Sequence, residues 1–214
     1  MRSWFHVILL SMVASSCQVF SSPNGASGAV YLRSAADALL DCGSFIVGAA
    51  ALLGENGILT EDPASLSNGG CALCNAGRDL QSACDILYGS DDCEWEEAVT
   101  SGFYPAAGNL QIAGASLHYC AKPLSVAGDK LDAASQITGC IVMAAAAADD
   151  LQDSGRSLVA AAALVRAYAE DMQAGGKVEQ AAGALTRQAA ASLMEAGETL
   201  EAFGVVIGTG RAAG

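Results

Sequence analysis

Residues 177–203 read KVEQAAGALTRQAAASLMEAGETLEAF. The apolar positions in this stretch are Val178, Ala182, Leu185, Ala189, Leu193, Ala196, Leu200 and Phe203, in steps of three and four. That spacing keeps one face of an α-helix apolar, and no strand-type alternation competes with it. The repeat lies close to eleven residues, which holds a nearly straight helix in register with a neighbour. Alanine fills the positions between, and it is the strongest intrinsic helix former and lets two backbones approach closely.

The same character extends back to Leu124, giving an alanine-rich, proline-free run from Leu124 to Phe203. Leu151, Leu158, Val165 and Met172 fall at heptad spacing. The heptad passes unbroken through Asp153-Ser154-Gly155, which allows one kinked helix to about Gln173. The usual length of helices favours a break at that point instead. Gly175-Gly176 closes the run, and the last helix is expected over Lys177–Phe203.

Upstream, Leu32, Ala36, Leu39, Gly43, Ile46, Ala50 and Leu53 mark a first helix over Ala29–Leu53, with Gly54 in the stop position. Arg33, Asp37 and Asp41 lie on its other side. Leu66, Leu73, Leu80 and Leu87 form the seam of a second helix, Leu66–Tyr88. Asn56-Gly57 and Asp62-Pro63 punctuate the loop between them. A third helix is expected over Pro105–Ala121, ended by Lys122-Pro123. The expected fold is therefore all-α: an Ala/Gly-rich multi-helix bundle of about five or six helices, with long antiparallel helices, braced by disulfides.

A short pattern recurs along the chain: a small residue, glycine, two variable residues, then an aliphatic. It occurs as Ala76-Gly77-Arg78-Asp79-Leu80, Ala113-Gly114-Ala115-Ser116-Leu117 and Ala127-Gly128-Asp129-Lys130-Leu131, and again as Ser154-Gly155-Arg156-Ser157-Leu158 and Ala196-Gly197-Glu198-Thr199-Leu200. Glycine inside a helix costs roughly 1 kcal/mol against alanine. Its repeated use points to close helix contact, and compositional bias is the competing explanation, with 24 glycines in the chain. The irregular spacings do not define a solenoid repeat.

The 214 residues suffice for one domain with a real core, expected over 22–214. With 52% hydrophobic but only 6% aromatic residues, that core is aliphatic and small. The formal charge of −13 opposes binding to phosphate backbones and to anionic membranes. At the start, Arg2, the apolar run Trp4–Ala14 and the small Ser15 and Ser16 form the pattern of a secretory leader over residues 1–21. Export to the extracellular space is the expectation. A bipartite leader into the lumen of a complex plastid is the alternative, on the acid-free stretch from Phe20 to Ala36.

Behind such a leader, Cys42, Cys71, Cys74, Cys84, Cys93, Cys120 and Cys140 are disulfide candidates. Cys71-Ala72-Leu73-Cys74 lacks the second Cys-x-x-Cys of a zinc site and the strand–helix context of a redox fold. His118 and Cys120, two residues apart on a helix, point to different sides. Asp91, Asp92, Glu94, Glu96 and Glu97 read as charge at a helix start. No catalytic, metal-binding or cofactor-binding motif stands out. The expected function is therefore non-enzymatic: a structural or interaction protein that docks to a larger assembly as an accessory subunit, or forms homo-oligomers. A secreted carrier of a lipid or other apolar ligand is the alternative. Ala144, Ala147, Ala148, Ala160 and Ala162 are the interface candidates, because the run holds more alanine than one buried stripe can use.

Overall fold

The computed structural model describes residues 23–58, 63–89, 95–137 and 141–209. The leader, Cys17, Cys93, Cys140, Glu61, Asp62, Asp91, Asp92 and Glu94 lie outside these residues. All regular structure among the described residues is helical. Among the described residues six helices exceed ten residues: α1 (Pro23–Glu55), α2 (Pro63–Gly89), α4 (Tyr104–Ser116), α5 (Ala121–Ser135), α6 (Ile141–Met172) and α7 (Lys177–Thr209). A single turn, α3 (Trp95–Ala98), runs into a π-helical turn, Val99–Phe103, before α4.

Every apolar stripe expected from α1 and α2 is buried from end to end. So are Leu151, Leu158, Val165 and Met172 of α6, and Ala182, Ala189, Leu193, Ala196, Leu200 and Phe203 of α7. Burying one leucine side chain is worth roughly 1.5–3 kcal/mol, so these stripes are the main driving force for the fold. α1 ends on Gly57, the one residue with positive φ among those described, at 66°. Its N–H reaches the Gly54 carbonyl at 3.2 Å, and the Ile58 N–H reaches Leu53 at 3.1 Å. That is a Schellman stop three residues beyond the expected Gly54, and Ile58 folds back onto the core.

The helices pack in a closed up-and-down ring. α1 lies on α2, α2 on α4, α4 on α5, α5 on α6, α6 on α7, and α7 returns to α1. The ring consists of three helical hairpins, α1–α2, α4–α5 and α6–α7. They share one packing pattern, and the glycines show it. A Cβ on Gly43 would stand 2.7 Å from the backbone N of Cys74 across its hairpin. A Cβ on Gly114 would stand 3.0 Å from that of Ser125, and one on Gly155 2.6 Å from that of Glu201. On the returning helices, Gly77, Gly128 and Gly204 press on the carbonyls of Ala36, Ala107 and Ala148, at 2.6, 2.8 and 2.9 Å for a Cβ. Within first helices the three sets superpose at constant offsets, and so they do within second helices. Close backbone approach is therefore the reason for the recurring glycine pattern, and it brings weak Cα–H···O contacts within reach.

The sequence repeats accordingly. Ala35-Ala36-Asp37-x-Leu39-x-Asp41-x-Gly43 in α1 matches Ala147-Ala148-Asp149-x-Leu151-x-Asp153-x-Gly155 in α6. Ala106-Ala107, Leu110 and Gly114 hold the same places in α4. The repeat has no constant period because the middle hairpin is about half the length of its sisters.

Three expectations are corrected. α6 is continuous through Ser154-Gly155, and the chain breaks instead after Ser135. Gly155 stays helical because α7 needs its missing side chain, and the Ser154 hydroxyl donates to the Ala127 carbonyl at 2.8 Å in the core. The third helix stops at Ser116, where Leu117 leaves helical geometry (φ −96°, ψ 81°) and a 3₁₀ turn, His118–Cys120, leads into α5. Disulfide bracing is not found: no cysteine pair among the described residues lies at disulfide distance. The hairpins are held by glycine contacts and buried leucines instead.

Candidate interaction surface

The outward stripe of each hairpin's first helix is one repeated set of positions. In α1 it carries Arg33, Asp37, Asp41 and Ser44; in α6 it carries Asp149, Asp153 and Arg156. These stripes are tied by charge and hydrogen bonds. Arg33 pairs with Asp85, and the Gln81 amide donates to Asp37 at 2.6 Å. Arg156 reaches Asp153 and Glu201, both at 2.9 Å, and Lys130 reaches Asp150 at 3.0 Å and Asp153 at 3.2 Å. The hydrogen bonds that Lys130 donates to Asp150 and Asp153 raise the pKa of its ammonium, and the one Arg156 donates to Glu201 raises that of its guanidinium.

The middle hairpin differs. The same stripe in α4 is Tyr104, Gly108, Ile112 and Ala115, and the helix contains no charged residue at all. Tyr104 is 58% exposed and Ile112 54%, and Val126 of α5 is 37% exposed. A Cβ on Gly108 would meet nothing within 4 Å. An uncharged helix with exposed Tyr104 and Ile112 thus shows apolar side chains to solvent.

The sequence-derived candidates lie elsewhere. Ala147, Ala148 and Ala162 are buried in the protein's own core, and Ala160 is exposed. α6 packs between α5 and α7, so it uses alanine on two faces rather than one. Ala144 belongs to α6, with its side chain outside the described residues. Cys42, Cys84 and Cys120 are buried, Cys74 is half-buried and Cys71 exposed. Burial pushes the Cys42 thiol well up, and the Cys84 thiol up as well, which keeps both protonated. His118 is exposed while Cys120 is buried. The Asn56 amide folds back on the Leu52 carbonyl at 2.8 Å and so serves the end of α1.

Between α1 and α2 an open groove of about 500 Å³ is lined by residues including Val30, Arg33, Asp37, Cys84, Asp85 and Tyr88. α1 is the one described helix long and apolar enough to cross a membrane; half of that span is buried, and its outer stripe carries Arg33, Asp37 and Asp41. Among the described residues no cluster of three or more His, Cys, Asp or Glu side chains is placed to hold a metal. Comparisons with protein-family models, curated proteins and solved structures return no match for this chain.

Proposed function

We propose that this is a non-enzymatic interaction protein, a helical ring that docks to protein through its middle hairpin as an accessory subunit of a larger assembly. The observation that carries this is the uncharged outward stripe Tyr104–Gly108–Ile112–Ala115, set in a chain of net charge −13 whose two sister stripes are charged. Apolar surface with aromatic residues is what partner-binding faces collect, and the acidic remainder of the surface opposes adsorption to membranes and nucleic acids.

The test is recovery of binding proteins from the native source with tagged chain. A specific partner should bind the wild-type chain and the Ala160→Glu control, and be lost with Ile112→Asp. Recovery of bound lipid with no protein would favour the carrier reading instead. The groove beside Arg33 and Asp85 speaks for the interaction reading, because it is open and edged by an ion pair, which suits an apolar ligand poorly. We also propose passage through the secretory pathway, on the order of Arg2, apolar run and small residues. N-terminal sequencing of native protein should begin between Cys17 and Asn24.

A further inference from the structure

We propose that Cys71 and Cys74 of α2 form a dithiol site for one soft monovalent metal ion, copper(I), on the outward edge of the first hairpin.

The two thiols share that edge. Three residues apart on a helix, their Cβ atoms are neighbours at about 5–6 Å. Cys71 is exposed and Cys74 half-buried, so an ion finds access at one sulfur and shelter at the other. α1 fixes the inner sulfur. Cys74 Sγ occupies the space beside Gly43, where a Cβ would stand 2.6 Å from it. It donates to the Leu40 carbonyl at 3.5 Å and stands 3.7 Å from Ser44 Oγ. A ligand held by such outer contacts is already oriented before the ion arrives.

The chemistry of the pair selects the ion. A disulfide needs Cβ atoms roughly 3.5–4.5 Å apart, closer than the helix sets them, so the pair stays a dithiol while α2 is helical. An ion between two sulfurs spans more, because each metal–sulfur bond adds roughly 2.3 Å. Thiolates are soft donors that select copper(I), an ion satisfied by two of them in line. Zinc asks for four ligands, and among the described residues no third His, Cys, Asp or Glu joins the pair. Binding displaces one proton from each thiol and transfers no electron, leaving a copper bis-thiolate of net charge −1.

The sister hairpins show that packing does not call for cysteine at these positions. The glycine register aligns Gly77 with Gly128 and Gly204, so Cys71 matches Lys122 and Glu198, and Cys74 matches Ser125 and Glu201. In all three hairpins the first position is exposed and the second half-buried. In the third hairpin Arg156, which matches Ser44, brings its guanidinium to 2.9 Å from Glu201. A cation therefore stands against this edge in that hairpin. In the first hairpin Ser44 supplies none, and the facing positions carry thiols that become anionic when a soft metal ion takes the place of their protons.

Anaerobic titration of the reduced chain with copper(I), in competition with the colorimetric chelator bicinchoninate, tests the proposal. The wild-type chain should take up an equivalent that Cys71→Ser and Cys74→Ser each lose. The affinity should fall about a hundredfold or more, because disturbing even a group that only orients a ligand costs about 10–100-fold. Cys84→Ser, at a buried thiol about 15 Å further along α2, should keep that equivalent. Circular dichroism verifies the fold of each variant. Uptake independent of Cys71 and Cys74, loss in only one of their two variants, or equal loss in Cys84→Ser overturns the proposal. Where a serine variant loses helix, iodoacetamide labelling of the wild-type chain with and without copper(I), read by peptide mass, decides instead. Protection of both Cys71 and Cys74 supports the site, and protection of fewer overturns it.

Discussion

The first and third hairpins resemble each other more than either resembles the second. Their first helices carry Ala-Ala-Asp-x-Leu-x-Asp-x-Gly, and α1, α6 and α7 have 33, 32 and 33 residues. The second hairpin keeps only what the core needs, namely Ala106, Ala107, Leu110 and Gly114 in α4, and Leu124, Gly128 and Leu131 in α5. The outward stripe of its first helix carries no charge, and its helices have 13 and 15 residues. The inside of the repeat is held by packing, since Gly43, Gly114 and Gly155 face backbone across their hairpins and Leu39, Leu110 and Leu151 are buried. The outside is not constrained in this way, and the first-helix stripe is uncharged in the middle hairpin alone.

α3 and the π turn enter the ring beside that short hairpin. Trp95 donates its indole N–H to the Ile137 carbonyl at 3.0 Å, and Phe103 stacks on Phe203 with centroids 6.2 Å apart. In a chain with 6% aromatic residues, the large rings thus collect where the repeat is incomplete. Small side chains cannot fill that space, and one residue added to the helical turn aims Phe103 into it.

The comparison between inner and outer positions breaks most visibly at alanine. Ala162→Glu puts a carboxylate at a fully buried site of α6 and should cost about 3–5 kcal/mol or abolish folding, while Ala160→Glu, two residues away and exposed, should stay within about 0.5 kcal/mol. Urea unfolding of the two variants measures the contrast. Next in size is the hairpin contact itself. Gly197→Ala should cost about 1–3 kcal/mol, because its Cβ would stand 2.6 Å from the Gly155 carbonyl and neither backbone can yield cheaply. An unchanged melting temperature would refute the claim that glycine is required there.

Within the middle hairpin the sign should reverse between two glycines. Gly128→Ala should destabilise in the same way as Gly197→Ala. Gly108→Ala should stabilise the monomer by about 0.5–1 kcal/mol, since that position is open and alanine is the better helix former. A comparably small effect is expected at one repeated core position, occupied by Cys42 in the first hairpin, Ala113 in the second and Ser154 in the third. Ser154→Ala loses the bond to the Ala127 carbonyl and should cost about 1 kcal/mol. In the native protein, Cys42 should resist alkylation while Cys71 reacts, because one thiol is buried and the other exposed.

The helices and their buried stripes were legible in the residues, because a helix imposes its period on whichever side chains it buries. Leu32 to Leu53 and Leu66 to Leu87 needed no tertiary knowledge, since three- and four-residue steps allow one face only. The glycine pattern was visible too, and its spacing concealed its meaning. Hairpins of unequal length shift the copies out of any fixed period, and only the pairing of Gly43 with Cys74, Gly114 with Ser125 and Gly155 with Glu201 restores the register.

What the sequence could not decide was the number of neighbours each helix has. Alanine is equally suited to a solvent face and to a second contact face. Ala147, Ala148 and Ala162 therefore read as surplus until the ring showed α6 buried on two sides. The cysteines posed the same problem, because a disulfide depends on where two side chains meet in space and spacing along the chain does not contain that distance. Tertiary structure also singled out the middle hairpin. The sequence alone assigns Tyr104, Gly108 and Ile112 no face, and only closure of the ring, with Leu110 and Gly114 buried, leaves Tyr104 and Ile112 exposed.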